Sequence, residues 1–165
     1  MHQTAFILSA AVAIAAVSTT HAQQPRVAQT QAQAAAPLSQ TALDATVAMY
    51  AAAWGDADLA SRRRLLERVW ADKGTYTDPT VQLQGREALV QHISTFLDKL
   101  PGARIVPTTH VDAHHNGFRF GWRIVSASGT ALSEGLDYGE LDATGRITRI
   151  VGFFGPIEPM VKDPP

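Results

Sequence analysis

Length, composition and charge exclude several classes of function. The chain has 165 residues, 45% of them hydrophobic, and 14 basic side chains nearly balance 15 acidic ones to a net charge of -1. That length is enough for one domain with a hydrophobic core. A near-neutral surface does not suit nucleic acid or an anionic membrane as the main partner. Three consecutive arginines, Arg62 to Arg64, stand among acidic residues and are predicted to form a solvated helix face.

The residue types exclude some kinds of chemistry as well. There is no cysteine, which excludes disulfides, thiol nucleophiles and cysteine-ligated metals. The glycine-rich motifs that hold phosphate in nucleotide-binding proteins are missing too.

The first residues have the pattern of a secretory leader. An almost unbroken apolar run covers Ala5 to Val17, which is too short for a transmembrane helix of about 20 residues. Thr20-His21-Ala22 then supplies the small residues of a cleavage site. The pattern predicts a signal peptide over residues 1–22, cleaved before Gln23, and a periplasmic or secreted protein. A retained membrane anchor is the alternative.

The rest of the chain divides by composition into a tether, a domain and a tail. Residues 23–37 are mostly glutamine and alanine. They bury too little apolar surface to fold, so they are predicted to be a disordered tether. One folded domain is expected over residues 38–157, and prolines predict an irregular tail over 158–165.

Three helices are predicted at the start of this domain. Thr41 with Asp44 is expected to form a capping box for the first helix. Asp56 or Asp58 is expected to cap the second, which Gly74 would end. Apolar residues recur at helical spacing in three stripes, one for each helix: Leu43, Val47, Tyr50 and Trp54; Leu59, Leu66, Val69 and Trp70; Leu89, Ile93, Phe96 and Leu100.

From Arg104 onward the hydrophobic period changes to two, which is typical of strands. Asn116-Gly117 is a strong hairpin signal, in which both residues can take a positive φ. Aromatic and aliphatic residues from Phe118 to Ile124 alternate with Arg119 and Arg123, so the former are expected to face the helices. Helices followed by an antiparallel meander predict an α+β fold. The predicted strands cover residues 104–112, 118–127, 131–141 and 146–154.

Two carboxylates stand where they could face a cavity. Asp137 shares one strand face with Ser133 and Gly135, and this row of small residues is expected to leave space. Asp78 precedes Pro79, which keeps its backbone out of the helical region. The alternatives are a surface carboxylate for Asp137 and, for Asp78, hydrogen bonds to its own turn.

The histidines admit two interpretations each. His92 borders the buried stripe of the third helix, and His110 alternates with apolar residues in the first long strand. Either could face a ligand, although a core histidine is the alternative for His92. His114 and His115 are expected to be exposed beside the turn. No histidine or acidic cluster has the spacing of metal ligands, so neither a metal nor a cofactor is predicted.

The order and spacing of several short motifs resemble a known family over roughly residues 40–155. The family is the SnoaL-like branch of the nuclear transport factor 2 superfamily, which also contains ketosteroid isomerases and polyketide cyclases. The resemblance implies three helices packed in a cone against a curved antiparallel sheet, with one apolar pocket and frequently a homodimer. The motifs are Thr77-Asp78-Pro79, Gly85-Arg86-Glu87-Ala88-Leu89, His115-Asn116-Gly117, Phe118 to Trp122, Gly135-Leu136-Asp137 and Asp142-Ala143-Thr144-Gly145-Arg146-Ile147.

The resemblance also implies roles for single residues. Asp78 matches the general base of the isomerases, and Asp137 matches the carboxylic acid that their apolar site keeps protonated. Their second donor, a tyrosine on the first helix, falls on Ala48 here. Tyr50 is expected to point elsewhere, and His92 could replace the missing donor. The residues implied or expected to surround the substrate are Trp54, Phe96, His110, Phe118, Phe120, Trp122, Ile150 and Phe154.

Three functions fit this sequence. The first is a cofactor-independent isomerase, cyclase or lyase, in which Asp78 takes a proton beside a carbonyl and Asp137 supports the enolate. The second is an exported protein that only binds a small apolar molecule. The third is a dimeric interaction module with a filled core. All three are expected to be homodimers that bind neither nucleic acid nor, once the leader is cleaved, a membrane.

Overall fold

The computed structural model describes residues 38–156 and residue 160. The predicted signal peptide and tether, and all of the predicted tail except Met160, lie outside the described residues. None of the described helices combines the length and hydropathy needed to cross a membrane. The elements are α1 (Gln40–Ala53), α2 (Leu59–Val69), β1 (Trp70–Asp78), β2 (Val81–Gln84), α3 (Arg86–Lys99), β3 (Arg104–Pro107), β4 (Asp112–His114), β5 (Gly117–Val125), β6 (Ala131–Leu141) and β7 (Ile147–Phe154).

The α+β fold class is confirmed, with three helices against one curved sheet. The strand order is β2-β1-β7-β6-β5-β3, and β4 also pairs with β5. The sheet is mixed, because β1 runs parallel to β7 with Tyr76 opposite Ile150. Parallel neighbours need a long connection between them, and here the chain from β2 to β6 supplies it.

Two of the predicted strands differ from the structure. The strand expected over residues 104–112 is interrupted, because residues 108–111 leave the ladder and Thr109 Oγ1 accepts the Gly121 amide at 2.9 Å. Before the third helix the sequence predicts only a short extended segment, whereas the structure has a hairpin of β1 and β2 there. In the β4–β5 hairpin His114 pairs with Gly117. The turn is therefore His115 and Asn116, and His115 takes the positive φ of 54°.

The helix ends agree with one predicted cap, Asp58, and differ from two other predictions. Ser39, two residues before the expected Thr41, caps α1 by accepting the Ala42 amide. Asp58 caps α2 as predicted and accepts the Ser61 amide at 2.6 Å. Gly74 does not end α2, which stops at Val69; it lies in β1, where a Cβ would come 2.5 Å from Trp70 Nε1.

The inner face of the sheet carries aromatic residues opposite glycines. Trp122 pairs with Gly135 and Phe118 with Gly139 across β5 and β6. A Cβ at Gly135 would lie 2.5 Å from Trp122 Cζ2, and one at Gly139 would lie 2.5 Å from Phe118 Cε1. The expectation that the small residue at 135 leaves a void is therefore wrong, because large rings of the next strand cover both glycines.

One of the three consecutive arginines is part of the interior. Arg62 is only 3% exposed, whereas the prediction placed all three arginines on a solvated face. Its guanidinium donates to the Asp56 carbonyl at 2.8 Å and 3.1 Å and to Ser94 Oγ at 2.6 Å. It therefore ties α2 to α3 and to the loop before α2.

We expect Arg62→Ala to lower the free energy of unfolding by about 3 kcal/mol, because buried acceptors lose their donors. Arg64→Ala, at an exposed position of the same helix, is the matched control and should change it by less than about 0.5 kcal/mol. Urea denaturation measures both. Equal effects would show that the contacts of Arg62 contribute nothing particular to stability.

Candidate active site

Asp78 and Asp137 lie on the same inner face, on either side of Gly152. Asp137 on β6 pairs with Gly152 on β7 and with Phe120 on β5. A Cβ on Gly152 would be 3.0 Å from Asp137 Oδ1 and 3.7 Å from Asp78 Cβ. The absence of a side chain at Gly152 therefore leaves the Asp78 and Asp137 side chains on either side of an unfilled position, close enough for the charge of Asp78 to act on Asp137.

Asp137 is a buried acid with one hydrogen-bond donor among the described residues. Its residue is 5% exposed, and Trp122 Nε1 donates to its Oδ1 at 2.7 Å. Burial raises the pKa of Asp137 to about 7; the Trp122 bond opposes this rise and the charge of Asp78 adds to it. Asp137 therefore keeps its proton in a substantial fraction of molecules at neutral pH and in most of them below it, and this acid form can donate a hydrogen bond.

Asp78 both caps its own turn and faces the interior. Its Oδ1 accepts from Thr80 N at 2.7 Å, from Thr80 Oγ1 at 2.7 Å and from Val81 N at 3.0 Å. Its Oδ2 accepts from the Tyr76 hydroxyl at 3.0 Å. The expectation that Asp78 bonds to its own turn is therefore correct for Oδ1, whereas Oδ2 faces the inner side of the sheet.

His92 on α3 faces Asp78 across the gap between the helix and β1. Its Nε2 lies 3.9 Å from Asp78 Oδ2, too far for a hydrogen bond but near enough for attraction between charges. The imidazole packs against the rings of Trp54 and Tyr76, with centroids 5.7 Å and 5.6 Å away. Burial lowers the pKa of His92, although the charge of Asp78 opposes that change.

Tyr50 is part of this site, contrary to the expectation that it points elsewhere. Its ring packs edge-on against Phe120 at 6.5 Å, and the residue is 1% exposed. Burial raises the pKa of Tyr50 well above its usual value, and the charges of Asp137 and Asp78 contribute. Its hydroxyl has no hydrogen-bond partner among the described residues, and the same holds for Trp54 Nε1.

The sequence contained a signal for Tyr50. It stands in the buried stripe of α1, so a helical wheel already turns it toward the sheet. The family resemblance pointed instead to Ala48, which lies two residues before Tyr50 in the same helix. Tyr76 was also missed, because β1 was expected to be only a short extended piece.

The predicted substrate-binding residues divide into three groups. Phe154 is half-exposed and touches Trp122 edge-on at 5.5 Å. His110 is not on the inner face: its side chain is 91% exposed and its Nδ1 pairs with Asp44 Oδ2 at 2.9 Å. The break of the strand at residues 108–111 ends the alternation on which that prediction depended. The others lie in or against the hydrophobic core: Trp54, Phe96, Phe118, Phe120, Trp122 and Ile150.

His110 lines an open groove of about 490 Å³ beside the 108–112 segment. Two other predicted substrate-binding residues, Phe120 and Trp122, also line this groove, together with Arg119. Within the described residues, no group of three or more histidine or acidic side chains is arranged to hold a metal ion.

Comparison with solved structures places the fold among known ones. A candidate isomerase of the SnoaL-like family from Agrobacterium tumefaciens is 34% identical; the match covers 70% of this chain and 99% of that one, with a TM-score of 0.66. A cystatin-like protein of unknown function from Methylobium petroleophilum is 15% identical, covering 78% of this chain and 86% of that one, at 0.59. No protein-family model and no curated protein matches the sequence.

A third neighbour shows the fold alone. It is described as a candidate SnoaL-like polyketide cyclase from Jannaschia, 15% identical, and the match covers 69% of this chain and 85% of that one with a TM-score of 0.55.

The free energy of unfolding of the wild type should fall as the pH rises. We expect Asp137→Asn to abolish this fall. Because the pKa is raised from 3.8 to about 7, the folded state holds a proton in this range that the unfolded chain has released. The wild-type free energy of unfolding therefore falls relative to the variant by up to about 1.4 kcal/mol per pH unit. Asparagine keeps an acceptor for Trp122.

Urea denaturation of both proteins at about pH 4.5 and at about pH 7.5 measures this difference. The other titrating groups are common to the two proteins and cancel. A wild type and a variant with the same pH dependence would show that Asp137 titrates normally.

Proposed function

Because this chain belongs to the SnoaL-like family, we propose that its inner site binds a small apolar molecule with a carbonyl group and moves a proton beside that carbonyl. The observation that carries the proposal is the pair of carboxylates around Gly152 in unlike surroundings. Asp137 is a buried acid that accepts from Trp122, whereas Asp78 is held by four donors next to a histidine. Pairs of titratable groups with such different environments are typical of acid–base sites.

The proposed reaction needs no cofactor. A base at the Asp78–His92 end takes the proton from the carbon beside the carbonyl, and the electron pair moves onto the carbonyl oxygen. Protonated Asp137 donates a hydrogen bond to that oxygen as its negative charge grows. Return of the proton at another carbon gives an isomer, so atoms and charge balance without a co-reactant.

Two buried donors without a partner also support a ligand oxygen at this site. The Tyr50 hydroxyl and Trp54 Nε1 are buried without a partner among the described residues, which costs stability. The Tyr50 hydroxyl lies near enough to Asp137 for that charge to raise its pKa, so a ligand oxygen that reached both groups would give the hydroxyl a partner. We propose Tyr50 as the donor of the first helix, which the family resemblance placed at Ala48.

The second candidate function is a dimeric interaction module with a filled core, and one observation favours it. The rings of Trp122 and Phe118 cover Gly135 and Gly139, so this part of the inner face has no room for a ligand. The two candidates differ in whether a ring can enter between Asp137, Tyr50 and His92.

We expect the protein to bind 4-nitrophenol, whose planar ring and oxygen imitate an enolate. The Asp137→Ala variant should bind about tenfold more weakly or worse, and Tyr50→Phe about five- to tenfold more weakly, because each loses a donor to the oxygen. Arg123→Ala, on the outer face of the sheet, is the control and should bind normally. The measurement is an absorbance titration at about pH 6, where Asp137 is protonated.

Two results would contradict this proposal. Binding that is equal in the wild type, Asp137→Ala and Tyr50→Phe would place the ligand elsewhere. If none of the three proteins binds 4-nitrophenol, the interaction module with a filled core is the remaining candidate function.

We also propose a homodimer through the outer face of the sheet. Phe153 is 57% exposed there and pairs with Leu136, beside half-exposed Tyr138. Such an apolar patch suits an isologous contact with a second copy of the chain.

We expect a dimeric mass in light scattering at ~100 μM protein, well above a micromolar dissociation constant. Phe153→Asp should give the monomer, and 4-nitrophenol binding should be retained because the residue faces away from the site. A monomeric wild type would refute the dimer without affecting the proposed reaction.

A further inference from the structure

We propose that His92 accepts the proton in this reaction and that Asp78 is the positioning residue whose fixed charge faces its imidazole, an inference that rests on the proposed function. It reverses the roles that the resemblance implies. It stands on three features of the site: how Asp78 is bound, which side chain a ligand can reach, and which way the imidazole faces.

Asp78 is fixed by its own strand and turn. Three donors from Thr80 and Val81 hold Oδ1, and the Tyr76 hydroxyl holds Oδ2. A carboxylate must leave such bonds to approach a substrate carbon, and each hydrogen bond to a charged group is worth about 1.5–3 kcal/mol. Asp78 therefore supplies a negative charge in a fixed place.

A ligand can also reach His92 more easily than Asp78. The side chain of His92 is 24% exposed, whereas that of Asp78 is 4% exposed. A general base has to come within hydrogen-bond distance of the proton that it removes. The imidazole meets this condition at lower cost, because it can approach without breaking the turn.

The direction of the imidazole completes the arrangement. Its Nε2 faces Asp78 Oδ2 at 3.9 Å, so the negative charge favours a hydrogen on Nε2. The unprotonated nitrogen is then Nδ1, whose lone pair points away from Asp78. This is the arrangement in which a carboxylate orients a histidine base and stabilises the imidazolium that forms.

The surrounding charges agree with this role. Burial lowers the pKa of His92, and Lys99 on the same helix acts in the same direction. The imidazole is therefore unprotonated at neutral pH and free to accept a proton. Asp78 on β1 acts oppositely and favours the protonated form. Tyr76 stays neutral, because burial and the charge of Asp78 raise its pKa, and Asp137 lies across Gly152.

The step balances within the site. The bond between carbon and hydrogen breaks, a bond forms between that hydrogen and Nδ1, and the electron pair moves to the oxygen that Asp137 holds. The imidazolium is paired with Asp78 until the proton returns to a different carbon. Closing the gap of 3.9 Å would strengthen that pair as the charge develops.

The first experiment is nitrogen-15 NMR of the histidine rings in the whole protein. We expect His92 to carry its hydrogen on Nε2, and Asp78→Asn to lower its pKa because a negative neighbour is lost. Asparagine keeps an oxygen for the donors of Thr80 and Val81, so the turn should be retained. A hydrogen on Nδ1 of His92 would overturn the assignment.

The second experiment uses 5-nitrobenzisoxazole, from which a base removes one proton and opens the ring to a coloured phenolate. We expect His92→Gln to lose roughly 100- to 10,000-fold in rate. Asp78→Asn should lose about tenfold, with its lower pH inflection moved to lower pH. His110→Gln, at an exposed histidine outside the inner face, is the control and should keep the full rate.

The outcomes separate the two proposals. A wild type that neither converts this probe nor binds 4-nitrophenol would overturn the proposed function, and the role of His92 with it. Conversion that survives His92→Gln and disappears in Asp78→Asn would overturn only the role of His92 and return the base to Asp78.

Discussion

The hydrogen bond from Trp122 Nε1 to Asp137 Oδ1 is the contact on which the rest of the inner face depends. It exists because β5 and β6 pair in one register, which sets Trp122 beside Gly135 and Phe120 beside Asp137. A shift of β6 by one residue would turn Asp137 to the outer face, away from Trp122. With the register given, the indole lies over the glycine and directs its only donor to the carboxyl group. A buried carboxyl with a single neutral donor is stabilised as the acid rather than as the anion.

The glycines of this face have two different roles that look alike in a sequence. At Gly135 and Gly139 the missing side chain admits an aromatic ring, so the sheet gains packing and no cavity forms. At Gly152 the missing side chain admits Asp137 Oδ1 from β6 and Asp78 Cβ from β1. Only the neighbours across the strands decide between these roles. A row of small residues therefore indicates a close approach, but it does not show whether a ring or a ligand makes it.

The sequence was sufficient for the features that depend on local periodicity. The stripes of α1 and α3, the alternation from Phe118 to Ile124 and the cap at Asp58 follow from neighbouring residues. Features that depend on distant partners were missed. The parallel pairing of β1 with β7 joins residues as far apart in the chain as Tyr76 and Ile150. Arg62 is buried with acceptors from the loop before α2 and from Ser94 on another helix. His110 was misplaced because residues 108–111 leave the ladder, where Thr109 bonds to Gly121.

The local structure of Asp78 can be predicted from the sequence, but its role in proton transfer cannot. The Asp-Pro step predicts a turn, and the turn uses one carboxylate oxygen completely. The second oxygen is directed inward by the strand, toward a tyrosine and a histidine that come from residues 76 and 92. A side chain that holds a turn cannot also move freely toward a substrate. The same bonds that stabilise the hairpin therefore favour a fixed charge at this position, and they leave the movable proton acceptor to the helix that packs against it.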